Sequence, residues 1–230
     1  MSTLSLKPLS PFAAQASGID LTRPLTPEQV REIEHAMDQH AVLVFRQQPL
    51  TQSQQIDFAK CFGPLDLGFR KVRGGPHRLD YAELADISNV KADGQIAERE
   101  HAKIVGNIAN QLWHSDSSFQ KPRAKYSMLS AVTVPSEGGQ TEYADLRLAY
   151  DTLPADLKKR VEGRVAVHYA LHSRFMLGDT GYTEEQQKAI EPAIWPLVQT
   201  DPRTGKERFT LTAVVAGGAA WMAVMSTSDS

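Results

Sequence analysis

Cysteine is almost missing from this chain of 230 residues; Cys61 stands alone. One thiol cannot form an intrachain disulfide, so the fold rests on its core, and a reducing, cytoplasmic setting is expected. Cys61 itself reads as a buried small residue of a helix. A charge excess is missing too. The formal net charge is −2 and the basic residues are dispersed, which argues against a nucleic-acid surface. No uninterrupted apolar run reaches the roughly 20 residues that a membrane helix needs. The N-terminus lacks a basic start followed by an apolar stretch, so neither a membrane span nor a secretion signal is expected. Two absences are local. No histidine follows His172, and no lysine or arginine follows Arg208. The stretch 209–228 carries no charge, is mostly Ala, Val, Gly, Thr, Ser and Met, and is interrupted by Gly217-Gly218.

What is present suffices for one domain with a substantial core. Prolines at 8, 11 and 24 make residues 1–25 an extended lead-in. Thr26-Pro27-Glu28-Gln29 has the pattern of a capping box with Pro at the first helical position. Val30, Ile33 and Met37 follow at helical spacing, so a helix is predicted to about Gln39. Residues 41–45 read as a buried strand. Thr51 to Gln54 repeats the cap, and Ile56, Ala59 and Phe62 predict a second helix that ends at Gly63-Pro64. Strands are predicted over 84–90, 126–134, 141–144 and 164–169. Asp145 caps a predicted helix, and a further helix from Pro154 turns Leu157 and Val161 inward. His35, His40 and His101 read as solvated.

The chemistry-bearing pattern is His114-Ser115-Asp116. On a strand, residues two apart share a face, so an imidazole and a carboxylate converge on one point. Those are two of the three ligands of a 2-His-1-carboxylate face, which holds Fe(II) and leaves positions open. An isolated pair of this kind is a weak signal, and its surroundings decide. His168 and His172 lie in a stretch read as strand. Four residues there span roughly 13 Å, too far for one ion to bridge. Residues 65–80 are irregular and basic, and read as a solvated loop or as a lid that offers a cation to an anionic substrate.

The surroundings are specific. The words Val42-Leu43-Val44-Phe45-Arg46, Phe58-Ala59-Lys60-Cys61-Phe62-Gly63-Pro64 and Tyr81-Ala82-Glu83-Leu84-Ala85-Asp86-Ile87-Ser88-Asn89-Val90 come first. The box from Asn110 to Phe119 follows, then Gly138-Gly139-Gln140-Thr141-Glu142-Tyr143, then His168-Tyr169-Ala170-Leu171 with Ser173-Arg174-Phe175. In this order, to about Arg208, the chain resembles the TauD/TfdA family of Fe(II)- and 2-oxoglutarate-dependent dioxygenases. The likeness is greatest to the 2,4-dichlorophenoxyacetate (aryloxyalkanoate) branch.

The resemblance implies a mainly β, α+β fold with flanking helices, a double-stranded β-helix or jelly roll of two facing sheets. It implies Fe(II) on His114 and Asp116, 2-oxoglutarate as cosubstrate held by Thr141, and O₂ as the oxidant, with ascorbate as an activator. It implies hydroxylation of a substrate carbon. With an aryloxyacetate, the hydroxylated carbon collapses to a phenol and glyoxylate, a step of aromatic compound catabolism. Lys71, Arg73, Asn110 and Ser117 become candidates for binding the small anionic substrate. His168 falls near the site without ligating. No nucleic acid or membrane partner is implied; a homo-oligomer is compatible with the pattern.

In the family, a second metal histidine comes late in the chain and an arginine for 2-oxoglutarate follows it. Neither appears here. The jelly roll is therefore expected to be C-terminally incomplete, with a dioxygenase-like domain over 1–208 and a divergent tail over 209–230. Three rivals stay open beside the active enzyme: an inactive remnant of the same fold, an interaction module that recruits another chain through an exposed sheet edge, and a metal site completed by His168.

Overall fold

The computed structural model describes residues 4–67, 78–98, 104, 113–176, 178 and 180–210, together with the backbone of the strand Ala220–Met225. The lead-in is a hairpin: β1 (Ser5–Ser10) pairs antiparallel with β2 (Ala13–Ser17). Helix α1 (Pro27–Gln39) starts where the cap predicts. The Thr26 side chain accepts from the Gln29 backbone, and the Gln29 side chain accepts from Thr26 N–H. Helix α2 (Gln52–Lys60) repeats the device with Thr51 and Gln54. Each box satisfies two N–H groups that a helix start otherwise leaves orphaned.

Between the helices runs β3 (Val42–Arg46), whose Val42, Leu43 and Phe45 are buried. It lies parallel to β2. Ala14, Ala16, Ile33, Ala36, Met37, Leu43, Phe45 and Phe58 form the main core where the sheet meets the helices. Phe45, Phe58, Phe62 and Tyr126 continue it as a chain of edge-to-face ring contacts, the arrangement that ring quadrupoles favour.

The rest of the chain is built in smaller pieces. Strand β4 (Tyr126–Ala131) borders the sheet. Helices α3 (Leu146–Asp151) and α4 (Ala155–Val161) precede β5 (Val165–His168), and the short helices α5 (His172–Met176) and α6 (Glu184–Ala189) precede β6 (Ala193–Pro196). Strands β7 (Val198–Thr200) and β8 (Glu207–Phe209) form a hairpin, and β5 pairs antiparallel with β6. The last described strand, β9 (Ala220–Met225), lies parallel to β3 on one side and β4 on the other. The sheet order is thus β1-β2-β3-β9-β4. The uncharged tail supplies the strand that joins the N-terminal half to β4. Among the described residues the expected two facing sheets take the form of one mixed five-stranded sheet and two two-stranded ones.

Several expectations are corrected. Residues 84–90 contain no strand, only an isolated bridge between Val90 and Ile96; apolar content alone did not provide a partner. Residues 141–144 are irregular. β4 stops at Ala131, and Val132 is 82% exposed. Helix α4 buries no residue fully, so Leu157 and Val161 are only half inward. Cys61 is exposed, because it caps the C-terminus of α2 rather than lying within its buried face. His40, at the C-cap of α1, is half-buried, and burial and the Arg147 charge lower its pKa. His172 opens a helix rather than continuing the strand that carries His168. No helix among the described residues is long and apolar enough to cross a membrane.

Candidate metal centre

His114 and Asp116 do converge, but not on a strand. Residues 113–115 are irregular and 116–119 form a turn. The His114 Nε2 atom lies 3.1 Å from Asp116 Oδ1, with both side chains about one-third exposed. The turn is held from within. Ser117 takes a left-handed backbone at φ 54°, Ser118 Oγ donates to the Ser115 carbonyl at 3.1 Å, and Gln120 N–H donates to the Ser117 carbonyl. Ser115 and Ser118 are buried, so the two candidate side chains, His114 and Asp116, face outward from an anchored loop. Ser117 is thereby a shaping residue of the turn; its backbone, not its hydroxyl, is what the structure defines.

The loop is also held from outside. In the β5–β6 pair, His168 opposes Ala193 and Ala166 opposes Trp195. Period-2 alternation sends Ala166, His168, Ala193 and Trp195 to one face and Val165, Val167 and Ile194 to the other. Burial follows this split: His168 is fully buried, whereas Val165, Val167 and Ile194 are more than half exposed. From the inner face, Trp195 Nε1 donates to the Ser118 carbonyl at 2.7 Å. Arg123 lies over the Trp195 ring at 5.2 Å and donates to Gln199 Oε1 at 2.6 Å. Burial, then the neighbouring Arg208, lowers the Arg123 pKa to about 10, opposed by Asp201.

Tyr143 is a residue the sequence reading did not single out. Burial raises its phenol pKa, and the Asp116 charge raises it further. The phenol therefore stands within electrostatic reach of the carboxylate that would bind metal. Its place in the word that ends Thr141-Glu142-Tyr143 was the available signal. Thr141 is exposed in irregular chain, and among the described residues no hydrogen bond ties it to the pair. Lys71, Arg73 and Asn110 lie outside the described residues.

An imidazole nitrogen and a carboxylate oxygen within one coordination sphere suit a divalent transition metal. Among the described residues no third His, Cys, Asp or Glu joins them. His168 is thus not part of a three-ligand group with His114 and Asp116. The rival in which it completes the metal site finds no support. A shallow cavity of about 460 Å³ lies elsewhere, lined by Val167, Tyr169, Ile190 and Pro192 with Lys188 and Glu191. It opens on the outer side of β5, away from the side His168 faces, and takes in neither His114 nor Asp116.

Known proteins give this geometry a context. Residues 5–219 match the family described as taurine catabolism dioxygenase TauD, TfdA family. The chain is 59% identical over 201 residues to an alpha-ketoglutarate-dependent 2,4-dichlorophenoxyacetate dioxygenase of Cupriavidus pinatubonensis, a match covering 87% of this chain and 70% of that protein. It is 57% identical over 196 residues to the protein of the same description from a Burkholderia species, covering 85% of this chain and 66% of that one. Among solved structures it resembles AAD-2 in complex with Mn(II) and N-oxalylglycine. The TM-score is 0.81 at 40% identity, over 92% of this chain and 72% of that one. These relatives support a jelly-roll type of fold. The match to the family ends immediately before β9 begins.

Proposed function

The chain belongs to the TauD/TfdA family, and from that premise we infer an Fe(II)- and 2-oxoglutarate-dependent dioxygenase. Its substrate is an aryloxyalkanoate such as 2,4-dichlorophenoxyacetate, released as a phenol and glyoxylate. The observation that carries this reading is the likeness to the two 2,4-dichlorophenoxyacetate dioxygenases, 59% and 57% identical over 87% and 85% of this chain.

His114 and Asp116 hold the metal. The reading is supported by their 3.1 Å approach on a loop whose other side chains are tied inward. Bound Fe(II) supplies the redox chemistry that couples decarboxylation of 2-oxoglutarate to oxygenation of a substrate carbon–hydrogen bond. The protein's part is placement. Trp195 and Ser118 fix the loop, so both ligands are presented without reorganisation when metal arrives. Tyr143 adds a phenol beside Asp116 whose raised pKa keeps it neutral, so it adds no negative charge there. Thr141 is assigned to 2-oxoglutarate. Asn110, Ser117 and the cations Lys71 and Arg73 are assigned to the anionic substrate.

The test is direct. The 230-residue chain is supplied with Fe(II), 2-oxoglutarate, O₂ and 2,4-dichlorophenoxyacetate, and succinate and dichlorophenol are quantified. Equal amounts of both, dependent on Asp116, are expected. A folded chain that binds Fe(II) and releases neither product overturns the activity. A folded chain that binds no Fe(II) is a remnant.

A further inference from the structure

The loop that carries His114 and Asp116 is joined to β6 by a relay of two hydrogen bonds. Trp195 Nε1 donates to the Ser118 carbonyl at 2.7 Å, and Ser118 Oγ donates to the Ser115 carbonyl at 3.1 Å. Ser115 is the residue between the two candidate ligands. Ser115 and Ser118 are buried, so water competes poorly for these bonds, and leaving either unmade is costly. The placing of the indole N–H is thereby passed to the residue that separates the imidazole from the carboxylate.

The same loop returns to the indole a few residues later. Lys121 Nζ lies 5.3 Å from the centroid of the Trp195 ring, and the Arg123 guanidinium carbon lies 5.2 Å from it. Both are cation–π distances, and Trp is the ring that attracts a cation most strongly. Two cations over one indole draw electron density from it, which makes its N–H a stronger donor to Ser118. Arg123 has a second tie. It donates to Gln199 Oε1 at 2.6 Å, and Gln199 stands opposite Arg208 in the β7–β8 hairpin. A guanidinium can stack on a ring and donate at its edge at once, because its donors lie in its own plane. Arg123 is half-buried, whereas Lys121 is exposed, so Arg123 is the better held of the two.

We propose that Arg123 is a positioning residue of the candidate metal loop, acting through Trp195, with Lys121 in a lesser role. The role deepens the dioxygenase reading and rests on it for what the loop holds. Loss of the cation weakens the indole donor and frees the ring. The turn at His114 and Asp116 then gains freedom that metal binding has to remove, at a cost in affinity.

Two measurements on the 230-residue chain test it: amide hydrogen exchange over 114–120 without metal, and Mn(II) binding by electron paramagnetic resonance. Arg123→Met keeps the stem and removes the charge. It should speed exchange in the loop several-fold while the unfolding midpoint stays near that of the parent. It should also weaken Mn(II) about 2- to 10-fold, the range of a cation–π contact. At saturating Mn(II) the zero-field splitting should broaden, a change that loss of stability alone does not produce. Arg123→Lys keeps a charge over the ring and should restore most of the loop protection and the affinity. Added to Trp195→Phe, Arg123→Met should have no further effect on the loop, since the donor to Ser118 is already gone. Gln199→Leu releases the guanidinium from its acceptor, and it carries the same expectations if Arg123→Met does not fold. The role is overturned if folded Arg123→Met leaves loop exchange as in the parent, or if the effects of Arg123→Met and Trp195→Phe simply add. A parent chain that takes up no Mn(II), with exchange still faster in Arg123→Met, leaves the positioning role standing and overturns the metal reading. Mn(II) binding by the parent with unmoved loop exchange in Arg123→Met does the reverse.

Discussion

The N-terminal half and the half that carries the metal loop are stabilised by different means. In the first, β2, β3, α1 and α2 bury a contiguous core of ten residues, from Ala14 to Phe58. In the second, the separate cluster among the described residues is three, Leu171, Tyr182 and Ile190. The second half depends on polar links across long sequence separations. Trp195 holds Ser118, Arg123 holds Gln199, Arg203 pairs with Asp38 at 2.7 Å, and Lys125 pairs with Glu34. A scaffold packed by apolar burial tolerates little change in shape. A site joined by hydrogen bonds can be adjusted in small steps without loss of the fold.

If that contrast is right, Phe45→Ala should be the costliest single change. It removes a fully buried ring from the main core, for about 3–5 kcal/mol by denaturant unfolding. Ile194→Ala, on the exposed face of β6, should fall within about 0.5 kcal/mol of the parent. Comparable losses at the two positions would erase the distinction.

Asp116→Ala should act in the opposite sense. Affinity for Mn(II), read by electron paramagnetic resonance, should fall by about 100-fold or more, while the unfolding midpoint barely moves. A collapse of stability would show that the loop is a structural element rather than a presented ligand pair.

Trp195→Phe keeps an aromatic ring, though a smaller one, and removes the donor to Ser118. About 1 kcal/mol of stability should be lost, and metal affinity should drop several-fold because the loop is less fixed. Unchanged metal affinity would mean that the inner face of β6 does not position the loop.

The smallest expected effect is on acid stability. Burial lowers the pKa of His168 and of His40 from the ordinary imidazole value; for His168 a hydrogen bond with the Thr210 backbone opposes it, and the charges of Arg123 and Arg147 act in the direction of burial. The unfolded chain then binds more protons than the folded one just below that value. Stability contributed by the neutral rings is complete above about pH 6.5 and declines as pH falls through the unfolded value toward the folded one. His168→Gln should flatten part of that decline in unfolding curves taken from pH 7 to 5. An unchanged slope would show that burial does not hold the His168 ring neutral.

Local signals in the sequence carried the first half. Thr26 with Gln29 and Thr51 with Gln54 mark their helices because a capping box is complete within four residues. The run at 42–45 reads as a buried strand for the same local reason. The site was legible as residue types, His114 and Asp116, while their convergence was attributed to a strand. The structure uses a turn, whose left-handed Ser117 and Ser118–Ser115 bond have no strong sequence signature. The region 84–90 failed because a strand needs a partner, which periodicity does not provide.

The chain's own residues determined its family, the two capped helices of its N-terminal half, its buried central strand and the identity of an imidazole and a carboxylate two positions apart. Each depends on neighbours a few residues away or on a matching order of short words. Tertiary structure decided the rest. It put the uncharged tail strand between β3 and β4, placed Tyr143 within electrostatic reach of Asp116, and brought Trp195 to the Ser118 carbonyl of the candidate metal loop. Those contacts join residues tens to nearly two hundred positions apart, and no local pattern records them because burial and charge are summed only after the chain has folded.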